Sequence, residues 1–171
     1  TVIVDLTTLA LAATHLFADD ASVKKYVWFE GKYAAVDTEL QSVKEKLDVY
    51  GNTFFDDICG MTPLQYRDYV QKVYEQKLHA IDADATISIA TRTLAHSNLS
   101  MNYASALFGF KNNIAMAPMV VGKKGVRRAD LSIDTLSYFK TLEQLPILHS
   151  KNQRYYSFLA DFTSSFCRQY M

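Results

Sequence analysis

Between Gly122 and Arg128 the chain reads Gly-Lys-Lys-Gly-Val-Arg-Arg, which places Lys123, Lys124, Arg127 and Arg128 within six residues. Four cations at this spacing make a local positive field, and two glycines let backbone N–H groups come close to a phosphate. Such clusters hold nucleic acid through its phosphates without reading base sequence. Lys111, Lys151 and Arg154 extend the basic set, and Tyr155 and Tyr156 offer rings on which bases could stack. The expected nucleic-acid-binding residues are Lys123, Lys124, Arg127, Arg128, Arg154 and Tyr155. The plainer alternative is a solvated turn that keeps the protein soluble.

Other residue types that carry catalysis or bind metals are scattered. His15, His79, His96 and His149 occur singly, and Cys59 and Cys167 are the only cysteines. Two cysteines so far apart form neither a zinc pattern nor a disulfide framework, so free thiols in a reducing compartment are expected. Asp82-x-Asp84 and Asp56-Asp57 could offer carboxylates to a divalent cation, yet they read more simply as helix caps. There is no Gly-x-Ser-x-Gly, P-loop or dinucleotide fingerprint, and Gly122-Lys123-Lys124-Gly125 lacks the spacing and hydroxyl of a Walker loop. Thr1 as an N-terminal nucleophile would need a glycine-rich sandwich, against which the helical pattern argues. The expectation is a non-enzymatic protein with no metal and no cofactor.

Charge adds a second observation. The 171 residues hold 18 Lys+Arg and 18 Asp+Glu, a net charge of zero. Residues 1–85 carry 8 Lys+Arg against 14 Asp+Glu, while residues 86–171 carry 10 against 4. An acidic half and a basic half imply an anionic partner for the second half or contact between copies, unless the charges interleave in space. No apolar run approaches the roughly 18 residues needed to span a bilayer. No basic-then-apolar leader opens the chain.

The elements that must position these residues read as helices. Thr62 to Ile81 is the clearest, with Thr62 as cap and Pro63 at the first helical position, where a missing N–H loses nothing. Tyr66, Tyr69, Val70, Val73, Tyr74, Leu78 and Ile81 recur three or four apart and form one stripe. Arg67, Asp68, Lys72, Glu75 and Lys77 fall mostly on the other side, with Asp68 and Lys72 at i,i+4 spacing. Gly60-Met61-Thr62-Pro63-Leu64-Gln65-Tyr66-Arg67 resembles the segment near the end of the second helix-turn-helix in AraC-type transcription regulators. The likeness covers eight residues; only Asn52 to Cys59 separate Gly51 from it, and the upstream recognition helix is missing, so the family is not assigned.

Elsewhere, Thr1 to Asp5 alternates as a short strand, and Leu6 to Phe17 reads as a helix. Asp19 to Ser22 opens a second helix with Val23, Tyr26, Val27 and Phe29 apolar, and Gly31 breaks or bends it. Tyr33 to Tyr50 is expected as one helix, followed by a short turn over Phe54 to Cys59. Ala85 to His96 is open between helix and strand, and Ser100 to Phe110 reads as helix. Ile114 to Leu131 is expected as an irregular loop or small hairpin, Ser132 to Leu145 as a helix ended by Pro146, and Asn152 to Tyr170 as the last helix.

Few glycines and prolines, 6 and 3, disfavour a turn-rich β fold. The expected architecture is a mostly α-helical bundle of six to eight helices forming one domain over residues 1–171, with an irregular basic segment near 114–131. The expected function is nucleic-acid binding and self-association, as in a nucleocapsid or coat subunit, placed in the cytoplasm or a virion. The alternative is a helical protein–protein adaptor with no nucleic-acid role.

Overall fold

The computed structural model describes residues 2–4, 27–123 and 130–145. Strand β1 (Val2–Val4) lies where alternation predicts it and pairs antiparallel with β2 (Val27–Phe29), Val2 opposite Phe29 and Val4 opposite Val27. The described elements that follow are helical: α1 (Ala34–Ser42), α2 (Lys44–Leu47), α3 (Phe54–Ile58), α4 (Pro63–Asp82), α5 (Ile89–Phe108), α6 (Phe110–Val120), α7 (Thr135–Phe139) and a 3-10 turn, Lys140–Gln144. The protein is mostly α, as the periodicity predicts.

Helix α4 forms as its sequence dictates. Thr62 Oγ1 accepts from the Gln65 N–H at 3.4 Å, and Gln65 Oε1 accepts from the Thr62 N–H at 2.9 Å. This reciprocal capping box satisfies two donors that the first turn would otherwise leave unpaired. Tyr66, Val70, Tyr74 and Ile81 are buried, with Tyr69, Val73 and Leu78 packed at the margin of the core. On the outer side Asp68 pairs with its neighbour Arg67 at 2.7 Å.

Helix α5 runs antiparallel to α4. Tyr66 reaches Ala106, Tyr74 reaches Ser100, and Asp82 reaches His96, so residues pair in reverse order along the two helices. The strand-like alternation at Thr86 to Thr91 is the capping segment of α5, where Ser88 Oγ accepts from the Thr91 N–H at 3.2 Å. No break separates His96 from Ser100. Ala95, Leu99, Tyr103, Ala106 and Leu107 form a continuous buried face, and the buried Ser100 hydroxyl is satisfied by Tyr74 at 3.2 Å.

Four other expectations are corrected. Val27 and Phe29, expected on a helix, stand in β2. The single helix expected over Tyr33 to Tyr50 divides at Val43, whose backbone (φ −102°, ψ 8°) leaves the helical well. Side chains from the long helices take the carbonyls beyond this point: Lys77 Nζ donates to Glu45 O at 2.7 Å and Asn102 Nδ2 to Leu47 O at 2.6 Å. The helix expected over Ser132 to Leu145 begins only at Thr135 and tightens into the 3-10 turn, anchored by a fully buried Tyr138 whose ring lies 4.7 Å from Phe110.

The fourth correction concerns the irregular segment near 114–131, because residues 114–120 are helical. Phe110, Ile114 and Ala117 share the buried face of α6, and their burial outweighs the backbone bond that Pro118 cannot donate. The helix ends in a Schellman motif. Gly122, at φ 66°, donates to Met119 O at 3.3 Å, and the Lys123 N–H reaches Pro118 O at 3.0 Å. The helices expected over Leu6 to Phe17 and Asn152 to Tyr170 lie outside the described residues.

Candidate functional site

Of the predicted phosphate-binding residues, Lys123 is described and Lys124, Arg127, Arg128, Arg154 and Tyr155 lie outside the described residues. Lys123 is exposed, one residue beyond the glycine that stops α6. The motif thus turns the chain out of the helix as the cationic sequence begins. Lys111, near the start of the same helix, is half-buried, its ammonium 5.9 Å from the Phe110 ring centroid.

Three of the four carboxylates considered as cation ligands, Asp57, Asp82 and Asp84, are engaged in the fold. Asp84 Oδ2 pairs with Lys46 Nζ at 2.5 Å, while its Oδ1 accepts from the Thr86 N–H and hydroxyl. The Lys46 hydrogen bond, then those from Thr86, hold Asp84 well below the usual carboxylate range. Asp82 faces His96 at 2.8 Å, and Asp57 accepts from Thr53 and Tyr69 at 2.9 and 2.8 Å. Among the described residues, no three His, Cys, Asp or Glu side chains converge where they could hold a metal. No described helix is long and apolar enough to cross a membrane.

A cleft of about 260 Å³ opens between α4, α5 and the 3-10 turn, lined by Tyr74, Glu75, His96, Tyr103 and Thr141 among others. Sequence reasoning did not anticipate it. The signal was the tyrosines, whose hydroxyls need partners once their rings are buried. Tyr74 and Tyr103 stack with centroids 4.6 Å apart and an interplanar angle of 24°. Their hydroxyls are satisfied by Ser100 and Thr141, at 3.2 and 3.1 Å. Burial pushes the Tyr103 phenol up, so it stays neutral at ordinary pH. The cleft's two phenols are hydrogen-bonded to neighbours, whereas the buried His96 Nε2 lies 2.8 Å from Asp82 Oδ1 without forming a hydrogen bond.

Two further polar contacts fix the geometry. Glu39, on α1, accepts from the Ser88 N–H at 2.8 Å, the Ser88 hydroxyl at 2.7 Å and the Thr91 hydroxyl, so a carboxylate sits at the N-terminus of α5. At the other end of the hairpin, Tyr66 links α4 to α5 and α6 through Ala106 O and Asn113. No protein-family model matches this chain, and no curated protein and no solved structure matches it either.

Proposed function

We propose that this protein is a non-enzymatic binding and assembly subunit, of the nucleocapsid or coat kind, that contacts the phosphates of RNA or DNA and associates with copies of itself. The observation that carries the reading is the start of the basic segment: α6 ends on a left-handed Gly122, and an exposed Lys123 leads four cations within six residues. An exposed cation beside a glycine turn, with three more following it in the sequence, suits a phosphate backbone, which rewards charge and close approach over shape. The unequal halves of the chain add to it, since a basic half suits an anionic polymer and an acidic half a neighbouring copy. The place of action that follows is the cytoplasm or a virion.

The adaptor reading rests on a different observation: Ile89 and Met119 are each 80% exposed, and large apolar side chains at such exposure suit a protein partner. Nucleic acid that copurifies with the protein separates the two. On the assembly reading, purified protein carries a raised ratio of absorbance at 260 to 280 nm that a high-salt wash lowers. A ratio that stays at the protein value through purification at low salt contradicts it.

A further inference from the structure

The outer face of α6 is apolar and exposed. Met116, Met119 and Val120 lie within about 100° of arc at 3.6 residues per turn, turned away from the buried Phe110, Ile114 and Ala117. Met116 is 41%, Val120 54% and Met119 80% exposed. Met119 and Val120 stand in the last turn of the helix, and the exposed Lys123 follows them directly across the Schellman turn. Charge in this part of the chain has one sign. Residues 85–129 hold six Lys+Arg (Arg92, Lys111, Lys123, Lys124, Arg127 and Arg128) and no Asp or Glu. Helices α5 and α6 both fall wholly within that stretch.

An apolar helix face that runs straight into cations asks two things of what covers it: a medium for methyl and thioether groups, and anions beside that medium. A nucleic-acid backbone supplies the anions but gives Met119 and Val120 no apolar surface. A bilayer containing anionic lipid supplies both, because acyl chains receive the apolar side chains while the headgroups carry the negative charge. The face is a convex helix surface with two flexible methionines, which suits a fluid surface better than a shaped one. At 11 residues α6 is about 16 Å long, enough to lie on a bilayer and too short to cross it. We propose that α6 lies along an anionic bilayer surface, with Met116, Met119 and Val120 in the outermost acyl region and Lys123 at the headgroups. The proposal goes beyond the phosphate reading above and does not depend on it.

The test is co-sedimentation with vesicles of phosphatidylcholine alone and of phosphatidylcholine with phosphatidylserine, for wild type, M119S/V120S and I89S, with circular dichroism as the check on folding. Serine removes the apolar side chains without changing charge. Ile89, 80% exposed at the start of α5, is the control for exposed apolar surface elsewhere. Wild type should bind the phosphatidylserine vesicles and leave those of phosphatidylcholine in suspension. M119S/V120S should bind about tenfold more weakly, and I89S as wild type does. A wild type that does not pellet with phosphatidylserine overturns the proposal and leaves the face to a protein partner. Equal binding to both vesicles overturns it too, as does M119S/V120S binding like wild type, since charge alone then accounts for the attachment. RNA binding by the same samples keeps the two readings apart. Loss of RNA binding in M119S/V120S as deep as its loss of vesicle binding overturns the lipid assignment, because phosphates make no use of these side chains. A wild type that binds vesicles but no RNA supports the proposal and overturns the phosphate reading.

Discussion

The Tyr66 hydroxyl donates to Ala106 O at 2.9 Å and accepts from Asn113 Nδ2 at 2.8 Å, so one buried phenol ties α4 to both α5 and α6. Replacing Tyr66 with Phe keeps the ring but removes the hydroxyl that Ala106 O and Asn113 Nδ2 both use. The expected loss is about 1–3 kcal/mol, read as a lower urea midpoint with unchanged slope. A midpoint equal to that of wild type would mean that these groups find other partners.

The buried Tyr66 and the half-buried Tyr69 also set the alkaline limit. Burial, then the hydrogen bond and charge of Asp57, push Tyr69 up to about 12, and burial raises Tyr66 as well. In the unfolded chain both ionise near about 10, so above that pH the unfolded state binds fewer protons than the folded state. Their contribution is complete below the unfolded value and is lost as pH rises through the folded ones. Thermal midpoints should therefore fall as pH rises beyond about 10, and less steeply in a Tyr69→Phe variant.

At the acid end the sign reverses. Glu39 is held below its ordinary value of 4.5 by the Thr91 hydroxyl first and then by the Ser88 N–H and hydroxyl. Asp84 is lowered by Lys46 first and then by Thr86. Both contributions are present above the unfolded values and are lost as pH falls through the folded ones. The thermal midpoint should start to drop below about pH 4.5, and Glu39→Gln should flatten that drop while lowering the midpoint at neutral pH. An unchanged acid limb in the variant would remove Glu39 from the account.

Gly122 is the residue that ends α6. A Cβ there would meet nothing within 4 Å, so Gly122→Ala tests backbone conformation alone. At φ 66° an L side chain costs about 1–2 kcal/mol, which should appear as a lower thermal midpoint. It should also weaken RNA binding, because Lys123 follows directly.

Much of this fold is written locally. Thr62, Pro63 and Gln65 specify the start of α4, and the stripe from Tyr66 to Ile81 specifies its buried face. The misreadings came where local pattern and tertiary contact disagree. The Ser and Asn residues of α5 suggest a break, yet the buried Ser100 is satisfied by Tyr74. Pro118 and the Met-Val run suggest a loop, yet Phe110, Ile114 and Ala117 fill the core, and the Gly122 stop marks the boundary only once the helix is assumed. Val43 carries no breaking signal; Lys77 and Asn102, distant in sequence, hold the carbonyls that follow it. In the candidate site, the cluster of cations is plain from the sequence, whereas the partners of Glu39 depend on a contact between residues 39 and 88–91.

The most direct test of the central claim is binding of a fluorescent single-stranded RNA across a salt series. Wild type is compared with a variant in which Lys123, Lys124, Arg127 and Arg128 are all changed to Glu. Wild-type affinity should fall steeply as salt rises, with a logarithmic slope of about −0.7 for each phosphate contacted. The variant should lose binding while its helical circular dichroism remains intact. No wild-type binding at low salt, or binding that survives reversal of the four charges, would contradict the account.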